Sequence, residues 1–464
     1  MEMFDTIAAV ATPVGVGGIA IIRISGGDAE SAAGKIVFAK SGTPIAEWKT
    51  HTIHLAEIRR TEDGAPIDEA LVTVMREPNS YTGETVVEIN CHGGRLAAAV
   101  IMEELFRTGV RRAEAGEFTR RAFLNGKCDL VRAEAVLDLI EASSEKGLEN
   151  AAGALSGRLS ERINEIRGRV LSLAAQLAAE TDFPEEIDEM PQSELDLRIR
   201  SISEDIDEML RGFDKGRIMR DGIRTVIAGR PNVGKSSLLN ALARCERAIV
   251  TDIPGTTRDM VEEYIRINGI ALRLIDTAGI RESDNAVEKI GIERAKECIK
   301  DADLCLLVLD SSEEIDEADL EIRRCAEGKS IIVILNKTDK KSRFDAECCA
   351  ERLKVSRENI VLTATPEGER AEGIDALETR ISELFMSGGI SKDEVFISNE
   401  RQKNALLAAQ RLIGGMLDGI AAGMPNDLLC ADLEETAAAL GELTGATVRE
   451  EIIDEVFASF CVGK

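Results

Sequence analysis

The spacing of apolar residues changes along the chain, and each change predicts a different architecture. Near the start they come in short β-branched runs, Ile19–Ile24 (IAIIRI) and Ala70–Met75 (ALVTVM), bounded by Gly, Pro, Ser or Asp. Runs of this length between turn formers predict strands. Ala97–Phe106 predicts a helix, so residues 1–125 are expected to form an α+β domain. Further on, Leu155, Leu159, Ile163, Ile166, Val170, Leu173 and Leu177 fall three or four apart. That spacing puts one apolar stripe on a long helix, as core packing requires. The acidic, proline-containing stretch Asp182–Pro191 breaks the stripe and predicts a loop. Residues 126–217 are therefore read as the first part of a helical domain.

Over residues 218–385 the pattern becomes strand, loop, helix, repeated. Thr225–Ala228, Leu272–Ile275, Leu304–Leu309 and Ile331–Leu335 are apolar runs separated by longer helical or loop segments. Such alternation predicts a doubly wound parallel sheet. Residues 386–464 return to a helical pattern, and Thr447-x-x-Glu450 predicts a capping box opening a last helix that ends near Phe460. The fold expected is multidomain α/β plus α, with the sheet domain inserted between two parts of a helical domain.

Composition narrows this reading. A chain of 464 residues suggests two to four domains, and 44% hydrophobic with 3% aromatic residues favours helices and α/β layers. The net charge of −27 repels nucleic acid at long range. A nucleic-acid partner must therefore meet a local basic patch, for which Arg120, Arg121 and Arg132 are candidates, or a basic partner protein. The ten cysteines are scattered without C-x-x-C spacing, as expected in a reducing compartment. Three histidines, His51, His54 and His92, argue against a histidine-built metal site. The N-terminus is acidic and no apolar run approaches the ~18 residues of a membrane span, so a soluble, cytoplasmic protein without a membrane role is expected. Gly463 and Lys464 fit a prenylation box poorly, despite Cys461 four residues from the end.

The chemistry is concentrated in the predicted sheet domain. Gly229-Arg-Pro-Asn-Val-Gly-Lys-Ser236 matches the phosphate-binding P-loop and lies between a strand and a helix. In Asn232, Val233, Gly234, Lys235, Ser236 and Ser237, backbone N–H groups would face the phosphates. Lys235 would reach the β- and γ-phosphates, and the Ser236 hydroxyl would ligate Mg²⁺. Asp276-Thr-Ala-Gly279 follows the strand LRLI, where the acid can hold Mg²⁺ through water and Gly279 can respond to the γ-phosphate. Between them, Thr251-Asp-Ile-Pro-Gly-Thr-Thr-Arg-Asp259 offers Thr257 as a further Mg²⁺ ligand. Asn336-Lys337-Thr338-Asp339 follows the strand IIVIL. Asp339 can accept two hydrogen bonds from guanine, a donor pair adenine lacks. Thr363-Ala364, after Ile360–Leu362, would support the base. This is the motif set of a Ras-like GTPase domain, except that Ile280 occupies the place of the usual water-orienting glutamine.

Several other stretches carry a resemblance over essentially the whole chain: ATPVGVGGIAIIRISG, YTGETVVEINCHGG, GEFTRRAFLNGKCDLVRAEAV, TDFPEEID, TDIPGTTRD and the terminal FCVGK. On these the chain resembles the tRNA-modification GTPase family MnmE/TrmE. The resemblance implies a homodimer with a folate-binding N-terminal domain. It also implies a flavoprotein partner of the MnmG or GidA family in a heterotetramer, and modification of carbon 5 of the wobble uridine of certain tRNAs. The one-carbon source implied is 5-formyltetrahydrofolate or a related tetrahydrofolate. K⁺ would replace an arginine finger when two G domains meet, with Asn232, Thr251, Ile253 and Thr256 as its ligands. Thr251 and Thr256 are also placed at the nucleotide. Glu288 matches the residue that orients the attacking water, and Arg23, Glu88, Lys127 and Lys464 match the folate-binding positions. Cys461 is open between a nucleophile and a small residue packing the tail into the dimer. Pro254 stands where the family often has Ala. Two other readings remain: a regulatory GTPase switch in ribosome or RNP assembly, and a stand-alone folate enzyme with a nucleotide-sensing insertion.

Overall fold

Strand alternation builds the first sheet. The computed structural model describes residues 5–13, 15–245, 263–275, 297–366, 371–386 and 394–464. Seven strands, β1 (Ile7–Val10), β2 (Ile19–Ser25), β3 (Val37–Ala39), β4 (Thr52–Arg59), β5 (Pro66–Met75), β6 (Val86–His92) and β7 (Arg111–Arg112), run in the order β3-β4-β5-β6-β2-β1-β7. All neighbours are antiparallel except β1 and β7. In β2, Ala20, Ile22 and Ile24 enter one core with Val72 and Val74 of β5 and Val87 and Ile89 of β6. The helix Arg95–Arg107 covers this face with Ala98, Ile101, Met102 and Leu105. Because side chains alternate across a strand, Arg23 and Glu88, which face each other in the β2–β6 register, lie on the other face.

The chain divides into two compact units, one of Met1–Leu137, Ser160–Ala178 and Cys430–Lys464, the other of Asp138–Leu159 and Ala179–Leu429. The first sheet belongs to the first unit, and so does the C-terminal segment. Val462 pairs with Ala115 in an antiparallel bridge, and the Phe118 N–H donates to the Lys464 carbonyl at 3.1 Å. Two glycines permit this docking. A Cβ on Gly116 (φ +67°) would stand 2.5 Å from the Phe457 carbonyl, and one on Gly463 (φ +100°) would stand 2.6 Å from that of Val10.

The second unit contains a six-stranded sheet of β8 (Ile223–Ala228), β9 (Glu263–Ile267), β10 (Ile270–Leu274), β11 (Leu304–Asp310), β12 (Ser330–Asn336) and β13 (Ile360–Leu362). Its order is β13-β12-β11-β8-β10-β9, parallel throughout except for the β9–β10 hairpin. A sheet buried on both faces needs apolar residues at every position. In β11, Leu304, Leu306 and Val308 enter one core while Cys305, Leu307 and Leu309 enter the other. The doubly wound sheet read from the apolar runs is thus the fold observed. In the same unit the amphipathic helix Gln192–Arg211 buries Leu195, Ile199, Ile202, Ile206 and Met209. It is tied to the helix Glu400–Ala421 by the Gln410 amide, which donates to Ser203 at 3.0 Å and Asp207 at 2.9 Å.

Three expectations are corrected. The stripe from Leu155 to Leu177 spans two helices, Glu145–Leu155 and Arg158–Asp182, separated at Gly157 with φ +98°. The capping box at Thr447 does not form: Thr447 donates to the Ala438 carbonyl at 2.7 Å, and Arg449 stands at the N-cap of the helix Glu450–Ala458 without a side-chain cap. Arg121 is not free to meet RNA. It is buried, and its guanidinium is bound to Asp5 at 2.6 Å and Glu117 at 2.9 Å. Among the described residues no helix is long and apolar enough to cross a membrane.

Candidate nucleotide and folate sites

The P-loop leaves the carboxyl end of β8 and enters the helix Lys235–Cys245. Its turns need residues that tolerate positive φ: Gly229 at +150°, Asn232 at +63° and Gly234 at +105°. A Cβ on Gly234 would collide with the Asn336 side-chain nitrogen, so that position admits only glycine. Lys235 folds back over the loop and donates to the carbonyls of Gly229 at 2.8 Å and Arg230 at 2.7 Å. Burial pushes its ammonium below the usual lysine range. A phosphate in the loop would supply a counter-charge. Ser236, at the first turn of the helix, and Ser237 follow directly on this lysine.

Asn336 and Lys337, at the end of β12, lock onto this loop. The Asn336 amide donates to the Val233 carbonyl at 3.0 Å, and its oxygen accepts from Thr363 and Thr365, each at 3.1 Å. Lys337 donates to the Asn232 carbonyl and to Asp310, both at 2.6 Å. Asp339 is exposed, and its carboxylate makes no hydrogen bond to any described residue. Two sequence-distant motifs therefore meet along one edge of the sheet, at the carboxyl ends of β8 and β12, where open α/β sheets bind ligands. Thr365 and Asp310 belong to no sequence motif; only their position after β13 and at the end of β11 marks them. Thr251, Ile253, Thr256, Thr257, Asp276, Gly279 and Glu288 lie outside the described residues.

In the first unit, Arg23 pairs with Glu88 at 2.8 Å. Its guanidinium lies 5.4 Å from the Tyr81 ring centroid and 5.6 Å from that of Phe118. It also donates to the Gly463 carbonyl at 3.4 Å, a contact spanning 440 positions of sequence. Tyr81 is held by a 2.8 Å hydrogen bond with Thr119. Arg23, Glu88 and the Gly463 carbonyl are thus brought together, and Lys464 is the next residue. Lys127 is exposed and donates to the Pro78 carbonyl at 2.9 Å, on the loop that carries Tyr81. Tyr81 and Phe118 escape sequence reasoning as site residues, although both fall in stretches that carry the family resemblance. Cys461 is exposed, and its carbonyl accepts from Gly116 N–H at 3.4 Å. A carboxylate beside a guanidinium, framed by two aromatic rings, suits a flat heterocycle with an N–H pair.

Two family models match the chain. Residues 6–127 match the family described as GTP-binding protein TrmE N-terminus, and residues 130–461 match the MnmE helical domain. The chain is 45% identical over 467 residues to the tRNA modification GTPase MnmE of Geobacillus kaustophilus, covering all of both proteins. It is 44% identical over 463 residues to that of Bacillus velezensis, covering 99% of this chain and 100% of that one. Among solved structures, the G domain of the T. maritima FeoB iron transporter is similar over 35% of this chain and 97% of that one. With 28% identity and a TM-score of 0.25, that likeness is too partial to bear on function. End-to-end identity at this level settles the relationship: the chain belongs to the MnmE family of tRNA modification GTPases.

Proposed function

We propose that this protein binds and hydrolyses GTP to drive modification of carbon 5 of the wobble uridine of certain tRNAs. The observation that supports the nucleotide half is the Asn336 amide bridge to the P-loop, which ties the guanine-reading motif to the phosphate-binding one. Guanine donates from N1–H and its exocyclic amine, and one carboxylate accepts both. In this reading Asn232 to Ser237 surround the phosphates, Lys235 meets their charge, and Ser236 and Thr257 hold Mg²⁺. Mg²⁺ would supply charge neutralisation at the transferring phosphoryl group. Asp276 and Gly279 follow the γ-phosphate, and Glu288 orients the attacking water.

The remaining parts of the proposal rest on family membership. K⁺, held by Asn232, Thr251, Ile253 and Thr256, would stabilise the charge that develops when two G domains of a homodimer meet. A 5-formyltetrahydrofolate or related folate would sit against Arg23, Glu88, Lys127 and Lys464, and supply the one-carbon unit. A flavoprotein partner would complete the chemistry on tRNA, since GTP hydrolysis changes no bond of the uridine. Reconstitution tests this directly. The chain, the flavoprotein partner, unmodified tRNA, GTP and a tetrahydrofolate labelled in its one-carbon group should yield label on the wobble uridine. Label should fall away without GTP, and GTP turnover should be much faster in K⁺ than in Na⁺. Label incorporation independent of this chain would overturn the reading. Equal turnover in the two salts, under conditions where the protein dimerises, would remove the cation from it.

A further inference from the structure

The second residue of the P-loop is held from outside the loop. Arg230 contacts Asp319 at 3.1 Å, Asp316 at 3.0 Å and Glu313 at 3.3 Å, and donates to the Glu314 carbonyl at 3.3 Å. Asp319 is completely buried. It belongs to the helix Glu317–Cys325, where it accepts from the Asp316 N–H at 3.2 Å. Asp316 returns the bond, accepting from the N–H of Asp319 at 3.1 Å, so the helix start is a closed capping box. Burial pushes the Asp319 carboxyl above its usual range. A carboxylate kept there needs a cation, and Arg230 is the one in contact.

What makes this more than a local ion cluster is the other end of Arg230. Its own backbone carbonyl accepts the Lys235 ammonium at 2.7 Å. The preceding residue is fixed as well, since a Cβ on Gly229 would collide with the Val308 carbonyl of β11. One side chain thus joins the helix that follows β11 to the carbonyl under the phosphate-binding lysine. Among the described residues, Arg230 contacts no group that the nucleotide reading assigns to GTP, apart from that lysine.

We propose that Arg230 and Asp319 form a brace that keeps the P-loop in its nucleotide-ready shape and so sets how long a bound nucleotide stays. Arg230 is a positioning residue here, and the brace rests on the GTP reading above. Its loss lets the first turn of the loop relax around the bound nucleotide, and the cost appears as faster release. The planar fork of Arg230 matters, because it engages Asp319 and the Glu314 carbonyl at once; a lysine offers a single point charge.

Stopped-flow release of N-methylanthraniloyl-GDP from the full-length protein tests the brace. Arg230→Gln and Asp319→Asn should each speed release by about tenfold. The double variant should release no faster than either single one, because both remove the same interaction. Arg230→Lys should restore part of the slow release. In steady state the change should fall on KM for GTP more than on kcat, which a general loss of stability would not produce. Asp319→Asn is nearly isosteric and keeps the assay informative if Arg230→Gln fails to fold. Release within twofold of wild type in both Asp319→Asn and Arg230→Lys would overturn the brace, as would additive effects in the double variant. A wild-type protein that binds no guanine nucleotide would instead defeat the GTP reading itself.

Discussion

The two sheets of this protein build their sites in opposite ways. In the sheet of β8 to β13 the P-loop and the Asn336 motif each follow directly on a strand, and the parallel order brings the two to one edge. In the sheet of β1 to β7 the candidate site is assembled from the middle of β2 and β6, a loop, a helix and the last residues of the chain. A nucleotide site can therefore be lost by one residue in a loop. The proposed folate site would depend on whether a tail stays docked.

The largest separation between the two regions should come from Asp339→Asn. In the proposed site guanine would present two donors to Asp339, and an amide offers one acceptor and one donor to meet them. GTP affinity should fall by about a hundredfold. Xanthosine triphosphate, whose base presents a donor beside an acceptor, should gain affinity. Equilibrium titration with both nucleotides checks this, and tetrahydrofolate binding should be unchanged. A fall in folate affinity in this variant would break the separation.

Gly463→Ala should show the reverse. The new Cβ would meet the Val10 carbonyl at 2.6 Å in a backbone conformation that alanine disfavours. The tail should leave Ala115 and Arg23, and 5-formyltetrahydrofolate affinity, measured by calorimetry, should drop by about tenfold. GDP binding should stay within twofold of wild type, roughly 0.4 kcal/mol. Unchanged folate affinity would mean that the tail is not part of that site.

A smaller effect concerns acid. A side-chain hydrogen bond from Arg111, helped by Arg121, holds the Asp5 carboxyl below its usual range. A carboxylate with a depressed folded pKa stabilises the protein above its unfolded pKa of about 3.9. That contribution is lost as pH falls through the lower folded value. Asp5→Asn should cost under about 1 kcal/mol at neutral pH, since the group is partly solvated, and the difference from wild type should shrink below about pH 4. Urea unfolding at the two pH values measures it.

The same contrast explains what can be read from sequence. The P-loop and the Asn336 motif are legible because their chemistry demands particular residue types at fixed short spacing after a strand. Strand positions such as Ile22, Val72 and Leu306 are legible from their apolar pattern. The break at Gly157 is not, because the stripe continues through it on both sides. Thr447 has the capping spacing, but tertiary packing offers its hydroxyl the Ala438 carbonyl instead. Arg121 reads as a free cation until Asp5 and Glu117 are found beside it. The approach of Gly463 to Arg23 cannot be foreseen from spacing, since it depends on how the whole first unit folds.

A GTP-driven role in tRNA modification is tested most directly by mass spectrometry of the nucleosides of tRNA from cells lacking this protein. Aminomethyl-type groups at carbon 5 of the wobble uridine should be lost. Wild type should restore them and Asp339→Ala should not. An unchanged nucleoside profile in the deletion, or full restoration by Asp339→Ala, would contradict that role.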